Sequence, residues 1–396
     1  MMRQSGIAGW LLVVYLFAGI PRSKANDTLM ATQLLHRIAA LQPKEDGVFP
    51  KGLFPSFRTY ALNKHRQKAD INVFFTGLIT LTLKNLRKDL TPYQQRVADG
   101  IMAAANASAA KFKNRKGRET YNFWPTDTPR IFPNSGWMNW FDKQQALPDD
   151  LDDTVIMLLA LNVDDSIATE VHTLMQQFAN NGQKQVNNTF KTYRNIGAYS
   201  TWFGKKMPVD FDVSVLSNVL YFVQSYGMQW TAADTASLQL IEKVIGEKKH
   251  LTDAPYVSPH YSSPAIILYH FSRLMQLKPI VGLEVNKEKL IADAKGLLKK
   301  PLPFMEQVLL QTALLRWGVQ PDTIQVNNNR SLEELVEDES FSFFIANMAS
   351  MLPDGLKKTA GAAGVGKFYY FCPAFNNLLL LENLVWHRRQ SVSLQP

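Results

Sequence analysis

The sequence predicts an all-α protein, a single α/α toroid of about six helical hairpins with aromatic-rich loops at one end. Two observations predict this fold. Apolar residues recur at intervals of three and four along most of the chain, which is typical of helices. Several of these segments follow a loop rich in aromatic, proline, serine and glycine residues, and such loops lie about 60 residues apart, roughly the length of a helical hairpin. Stacked hairpins bury one another's apolar faces and can close into a ring.

The helical spacing predicts ten helices, over 28–41, 72–86, 154–161, 213–226, 233–245, 264–277, 287–298, 304–317, 332–351 and 374–386. The aromatic loops are 54–60, 123–125, 197–203, 256–263 and 368–373. Alternating apolar and polar residues, which would indicate strands, are few. Because no low-complexity linker interrupts the chain, we predict one toroid domain over 26–396.

Residues 1–25 are predicted to be a secretory signal peptide. Arg3 precedes an apolar stretch over 6–20, and the small residues Ser23 and Ala25 on either side of Lys24 suit a signal-peptidase site. The apolar stretch is shorter than the roughly 20 residues that span a bilayer. We therefore expect a secreted or periplasmic protein, with an uncleaved anchor at a membrane surface as the alternative.

The composition excludes several classes of protein. With 396 residues, 46% of them hydrophobic and one cysteine, the chain is neither disordered nor stapled by an internal disulfide. Its net charge of +9 is dispersed, so we expect no nucleic-acid partner, while the basic runs 111–118 and 387–389 leave contact with a membrane surface open. The histidines lack zinc-binding spacing, and we predict no metal and no cofactor.

The most informative segment follows Pro148, where Asp149, Asp150, Asp152 and Asp153 crowd the start of an apolar helix. One or two acids are enough to cap a helix and to interact favourably with its dipole. Four carboxylates repel one another unless a shared proton, a cation or hydrogen-bond donors compensate. Their crowding therefore predicts a functional site in which at least one carboxyl has a raised pKa.

The run Asp150-Leu151-Asp152-Asp153-Thr154 resembles the Asp-x-Asp-Asp-Thr motif of class II terpene cyclases such as squalene–hopene cyclase. Segment 197–213 resembles the repeat units of the same terpenoid cyclase and prenyltransferase superfamily. The resemblance implies an α/α toroid and an isomerase that starts the cyclisation of a polyprenoid by protonation. It assigns Asp152 as the general acid, with Asp150 and Asp153 holding it and sharing the charge.

The other expected site residues lie in or beside the aromatic loops and would bind a hydrophobic small-molecule substrate. Aromatic faces there would stabilise a carbocation by about 0.5–2 kcal/mol each. These expected residues are Asp149, Trp137, Trp140, Tyr199, Trp202, Phe203, Asp212, His260 and Tyr261.

Three alternative interpretations remain open. Residues 149–153 also form an Asp-Asp-x-x-Asp string, which binds Mg²⁺ in class I prenyl-diphosphate enzymes, although no second metal motif is evident. An exported glycosidase or lyase on an α/α toroid would act on a glycan, stacking sugar rings on aromatic side chains. It would take one carboxylate from 149–153 and another from Asp210 or Asp212. A noncatalytic toroid would bind a lipid or protein partner.

Overall fold

The computed structural model describes residues 24–127, 148–183, 185–204, 207–322, 324 and 330–393, and helices dominate it. The α-helices are α1 (Lys24–Leu41), α2 (Phe74–Leu86), α3 (Pro92–Ser108), α4 (Leu151–Leu161), α5 (Asp165–Met175), α6 (Val213–Ser225), α7 (Ala232–Gly246), α8 (Lys249–Thr252), α9 (Ala254–Val257), α10 (Pro264–Leu277), α11 (Val281–Glu284), α12 (Lys287–Leu298), α13 (Phe304–Arg316), α14 (Leu332–Val336), α15 (Asp354–Ala363) and α16 (Pro373–Ser393).

Six helices form a closed inner ring. Helices α2, α4, α6, α10, α13 and α16 pack against one another in that order, and α16 packs back against α2. Their first turns meet at one end of the ring. Ser263, just before α10, donates to Glu306 in α13 at 2.8 Å, and the rings of Phe75 in α2 and Phe375 in α16 have centroids 5.7 Å apart. The predicted all-α toroid, with its aromatic loops at one end, is confirmed.

An outer layer covers this ring. Helix α1 packs on α16, α3 on α2, α7 on α6 and α12 on α13. The inner and outer helices differ in how many of their residues are buried. Every residue of α6 from 213 to 224 is buried, whereas α12 buries only Leu290, Ile291 and Ala294. An inner helix is enclosed on all sides, while an outer helix needs only a narrow apolar stripe.

The helical spacing does not predict α3, α5 or α15, because their apolar stripes are thin. In α3 the buried apolar residues are mainly alanines, such as Ala98 and Ala105. The start of α3 nevertheless carries a recognisable signal. Thr91 and Gln94 form a reciprocal capping box around Pro92, which satisfies two backbone N–H groups at the helix end.

A four-stranded antiparallel sheet is the main departure from the predicted fold. Its strands are β1 (Ser56–Tyr60), β2 (Asn63–Asp70), β3 (Phe344–Asn347) and β4 (Lys367–Phe371), in the order β2-β1-β4-β3. The predicted continuous helix over 332–351 is wrong, since α14 ends at Val336 and β3 follows. Phe344 pairs with Tyr370 of β4. The spacing of apolar residues within 332–351 carries no information about a partner strand so far away in sequence.

The sheet joins the two halves of the sequence at the end of the ring where the inner helices start. Phe57 of β1 pairs with Phe371 of β4. The backbone N–H of Ile345 in β3 donates to the carbonyl of His260, just before α10, at 2.9 Å. The sheet therefore brings residues of β3 to the loops that precede the inner helices.

Residues 1–23, which include most of the predicted signal peptide, lie outside the described residues, and α1 begins at Lys24. Across the described part of the chain, the search for a helix with the length and apolar character needed to cross a bilayer finds none. Secretion remains a prediction from the sequence.

The tight contact between α2 and α4 makes Gly77→Ala a test of the ring. A methyl group on Gly77 would lie 2.8 Å from the Met157 sulphur and 2.9 Å from Ile156 Cγ2, both buried. We expect a net destabilisation of about 1–3 kcal/mol, measured by urea unfolding, because overpacking outweighs the helix preference of alanine.

The matched control is Gly100→Ala on the exposed face of α3, where nothing lies within 4 Å of the added methyl group. It should raise the unfolding free energy by up to about 1 kcal/mol. Equal stability of the two variants would contradict the close packing of α2 on α4.

Candidate active site

A narrow pocket opens at the end of the ring where the inner helices start. It is a depression of about 450 Å³ that opens to solvent, in which about 30 Å³ is accessible to the centres of water-sized groups. Its lining is largely apolar and includes four aromatic side chains: Asn122, Phe123, Trp124, Pro148, Asp150, Trp202, His260, Phe344, Ala346, Asn347 and Met348. A space of this size admits a small group such as a hydroxyl.

Asp150 is the carboxyl that lines this pocket, and it is also the N-cap of α4. Its Oδ1 accepts the backbone N–H groups of Asp152 at 2.7 Å and Asp153 at 3.0 Å. The Thr154 hydroxyl donates to the Asp150 carbonyl at 2.7 Å and closes the first turn. Burial, together with the nearby Asp152 carboxylate, raises the pKa of Asp150 to about 7. Both protonation states of Asp150 are therefore accessible near neutral pH.

Asp152 lies beneath the pocket, inside the ring, and is not part of the lining. Its Oδ1 accepts from the Asn218 amide of α6 at 2.6 Å, and its Oδ2 accepts from the Tyr261 hydroxyl. Burial raises the pKa of Asp152 to about 6, against the lowering effect of these two donors. The two aspartates of one helical turn thus occupy different environments.

The other two acids of the cluster are also buried. Asp153 Oδ1 has no hydrogen-bond partner among the described residues. Burial, with Asp150 and Asp152 adding to it, holds the pKa of Asp153 well above its ordinary value, which favours the protonated form of this carboxyl. Asp149 is anchored away from the pocket lining, because its Oδ2 accepts from Asn114 and from the Thr120 hydroxyl, each at 2.5 Å.

His260 supplies a positive charge beside Asp150. Its Nδ1 donates to the Ile345 carbonyl at 3.1 Å, and its Nε2 lies 3.4 Å from Asp210 Oδ2. Burial alone would lower the pKa of His260, but Asp210 and then Asp212 raise it to about 9. The same pairing lowers the pKa of the buried Asp210. The imidazole is therefore cationic at neutral pH.

Two polar atoms of pocket-lining residues are buried without a hydrogen-bond partner in the described part of the chain. They are Trp202 Nε1 and Asn347 Oδ1. Buried polar groups are normally satisfied, so each unpaired atom calls for an explanation, such as a ligand or an ordered water. Trp202 reaches this position through a backbone bridge to Asp150.

Several expected site residues lie elsewhere. The Tyr199 hydroxyl donates to Asp234 Oδ1 at 3.0 Å near the start of α7, and Phe203 packs edge-on against Phe178 at 5.3 Å. Neither lines the pocket. Tyr261 is buried against Asp152 below the pocket. Trp137 and Trp140 lie outside the described residues.

Asp212 has a structural position close to the site. It caps α6 by accepting the backbone N–H groups of Ser214 at 2.9 Å and Val215 at 3.2 Å. Its Oδ1 also accepts from the Ser258 hydroxyl at 2.6 Å, and its Oδ2 accepts from the His260 backbone N–H at 2.8 Å. Asp212 therefore joins the start of α6 to the loop before α10 and does not line the pocket.

Several residues of the pocket lining were not among the site residues expected from the sequence. Phe123 and Trp124 belong to a recognised aromatic loop, so a signal for them was present. Phe344 and Asn347 had none, because their segment was predicted to be helical. Among the described residues, no group of three or more histidine, cysteine, aspartate or glutamate side chains is arranged to hold a metal ion.

No protein-family model matches the chain, and no curated protein matches it by sequence. Among solved structures, it is similar to the crystal structure of an unsaturated glucuronyl hydrolase specific for heparin. The two share 10% sequence identity with a TM-score of 0.42, and the match covers 93% of this chain and 98% of that chain. The ring architecture of the present chain is established by its own helix contacts.

The His260–Asp210 pair predicts a specific dependence of stability on pH. The pKa of His260 is raised from 6.5 to about 9, so its contribution is full below pH 6.5 and is lost as the pH rises through about 9. Replacing His260 with Gln should cost about 3 kcal/mol near neutral pH, because Asp210 loses its buried partner. Urea unfolding from about pH 6 to about pH 10 should show this difference shrinking.

His250→Gln is the matched control. His250 pairs with Asp293 on α12, but burial lowers the pKa of His250 below its ordinary value. Its contribution should therefore not decline between pH 6.5 and 9. Parallel pH profiles for the two variants would contradict the charged state assigned to His260.

Proposed function

We propose that the protein is a carbohydrate-active enzyme, a hydrolase or lyase, in which Asp150 is the acid–base group. The observation that carries this proposal is the pocket itself. It combines aromatic walls with one carboxyl of pKa about 7 and with unpaired polar atoms. The α/α-toroid fold accommodates enzymes of this kind, but the proposal rests on the site.

The chemistry of the lining suits a hydroxyl-bearing ring. Trp124, Trp202, Phe123 and Phe344 provide apolar faces against which the C–H faces of a sugar can pack. The unpaired Trp202 Nε1–H can donate to a hydroxyl or carboxylate oxygen, and the unpaired Asn347 Oδ1 can accept from a hydroxyl group. A few placed polar groups on aromatic walls are typical of small-molecule sites.

The arrangement of carboxyl groups favours a mechanism in which one carboxyl acts in both its protonated and its ionised state. Only Asp150 among the carboxyls of the described residues lines the pocket, so no second carboxylate is placed there for the usual glycosidase pair. With a pKa of about 7, Asp150 can donate a proton in one step and accept one in the next. The His260 cation nearby stabilises the ionised state of Asp150.

The polyprenoid-cyclase interpretation has less support from the site. A general acid in that reaction would face an enclosed cavity large enough to fold a long hydrocarbon. Asp152 instead accepts hydrogen bonds at both oxygens beneath the pocket, and the pocket above is an open depression in which about 30 Å³ is accessible to the centres of water-sized groups.

Secretion of the mature chain remains part of the proposal. It is supported by the signal-peptide pattern of residues 1–25.

The direct test of the proposal is Asp150→Asn, which removes the proton without changing the shape. Turnover would be measured on oligosaccharides, both neutral and uronate-containing, with saturated or unsaturated non-reducing ends. We expect kcat to fall about 10²- to 10⁴-fold, because acid–base catalysis is lost.

The control is Asp293→Asn, the same change in the outer helix α12, which should leave kcat within about twofold of the wild type. If no oligosaccharide is turned over and cyclised products appear from squalene, the cyclase interpretation replaces this one. Unchanged turnover in Asp150→Asn would exclude Asp150 as the acid–base group.

Trp202→Phe separates hydrogen bonding from stacking in the pocket. It keeps an aromatic face but removes the unpaired Nε1–H donor. We expect KM to rise about tenfold, since a hydrogen bond to substrate contributes roughly 1 kcal/mol or more, while kcat changes little. Phe203→Leu, outside the pocket, serves as the control. An unchanged KM in Trp202→Phe would show that the indole N–H does not contact substrate.

A further inference from the structure

A chain of hydrogen bonds runs beneath the pocket through the interior of the ring. The Arg273 Nη2 of α10 donates to Asn218 Oδ1 of α6, and Asn218 Nδ2 donates to Asp152 Oδ1 at 2.6 Å. All three residues are buried, with exposed fractions of 6%, 2% and 3%. This series of hydrogen bonds ends at Asp152, the carboxyl that the resemblance to class II terpene cyclases assigns as the general acid.

The donor and acceptor in each of these hydrogen bonds follow from the chemical groups present. A guanidinium has only donors, so Arg273 must face the carbonyl oxygen of the Asn218 side chain. The amide N–H₂ group of Asn218 is thereby turned towards Asp152. The Tyr261 hydroxyl donates to the other carboxylate oxygen. Both oxygens of Asp152 therefore meet donors, and a proton on either oxygen would oppose one of them.

We propose that Arg273 is a positioning residue that acts through Asn218 to keep Asp152 ionised, so that Asp150 at the pocket and Asp153 behind it hold the protons of the cluster. The catalytic consequence of this inference rests on the proposed function, because Asp150 then faces substrate as the acid. The ionised state of Asp152 itself can be tested without any substrate.

Charged and titratable groups surround Asp152 on several elements. They are Asp150 and Asp153 at the start of α4, Asp212 at the start of α6, Tyr261 in the loop before α10, and Arg273 on α10. Arg273 is the cation of this set, while the neighbouring His260 cation pairs with Asp210 and lies beside Asp150. Burial raises the pKa of Asp150, Asp152 and Asp153, and the charge of Arg273 acts to lower the pKa of Asp152.

Arg273 also has packing contacts, so the test must read ionisation rather than stability. Its guanidinium carbon lies 5.8 Å from the ring centres of both Tyr221 and Tyr269. Loss of these contacts would destabilise any variant whether or not the charge acts on Asp152. The side-chain carboxyl carbons of the aspartates, followed by carbon-13 NMR as a function of pH in the full chain, report ionisation directly.

Arg273→Met removes the charge, and we expect the midpoint of the Asp152 titration to rise by about 1 pH unit or more. Arg273→Lys keeps a donor-only cation and should restore most of the wild-type midpoint. Arg316→Met is the control, because Arg316 is another buried arginine of the ring but pairs with Glu382. A rise of the same size in Arg316→Met, or none in Arg273→Met, would overturn the inference.

The wild-type chain provides a second measurement that does not depend on the folding of a variant. With resonances assigned through bonds, Asp152 should ionise at a lower pH than Asp150 and Asp153. The opposite order would overturn the inference. Failure to turn over any oligosaccharide would instead count against the proposed function and would leave this titration as the decisive result for Arg273.

Discussion

Several carboxyl groups are buried at one end of the helical ring, and the rest of the structure depends on how their charge is compensated. A buried carboxylate needs donors, a cation or a proton. The first turns of α4 and α6 supply backbone N–H groups to Asp150 and Asp212, and His260 supplies a cation to Asp210. The contacts of His260 with Asp210 and Asp212 join the starts of α6 and α10, so the compensation of charge there also fixes these two inner helices at the same end of the ring.

The sheet connects this charge balance to the ends of the chain. Strand β3 brings Phe344 and Asn347 to the pocket, and its Ile345 carbonyl receives the Nδ1–H of His260. Because β3 pairs with β4, and β4 pairs with β1, the position of His260 depends on contacts between segments far apart in sequence. Burial of Asp150 among the same walls raises its pKa.

Two neighbouring aspartates occupy different environments because their backbones differ. Asp150 is the extended N-cap residue and lines the pocket, whereas Asp152 lies in the first turn of α4 and its side chain enters the ring. One oxygen of Asp150 is held by backbone N–H groups, and Asp152 meets side-chain donors at both oxygens. A single motif therefore places two carboxyls in environments of different polarity, which can separate their pKa values.

The sequence by itself determined the six inner helices, since a helix buried on all sides is apolar around most of its surface, and local residues carry that signal. It also determined that the acids after Pro148 form a cluster with perturbed pKa values. Carboxylates so near to one another must share protons or hydrogen-bond donors. Only the tertiary structure decided which acid faces the pocket, that Tyr199 and Phe203 lie elsewhere, and that β3 contributes a wall. Those outcomes depend on pairings between distant segments, such as Phe344 with Tyr370 and Asp152 with Asn218, which a local period does not encode.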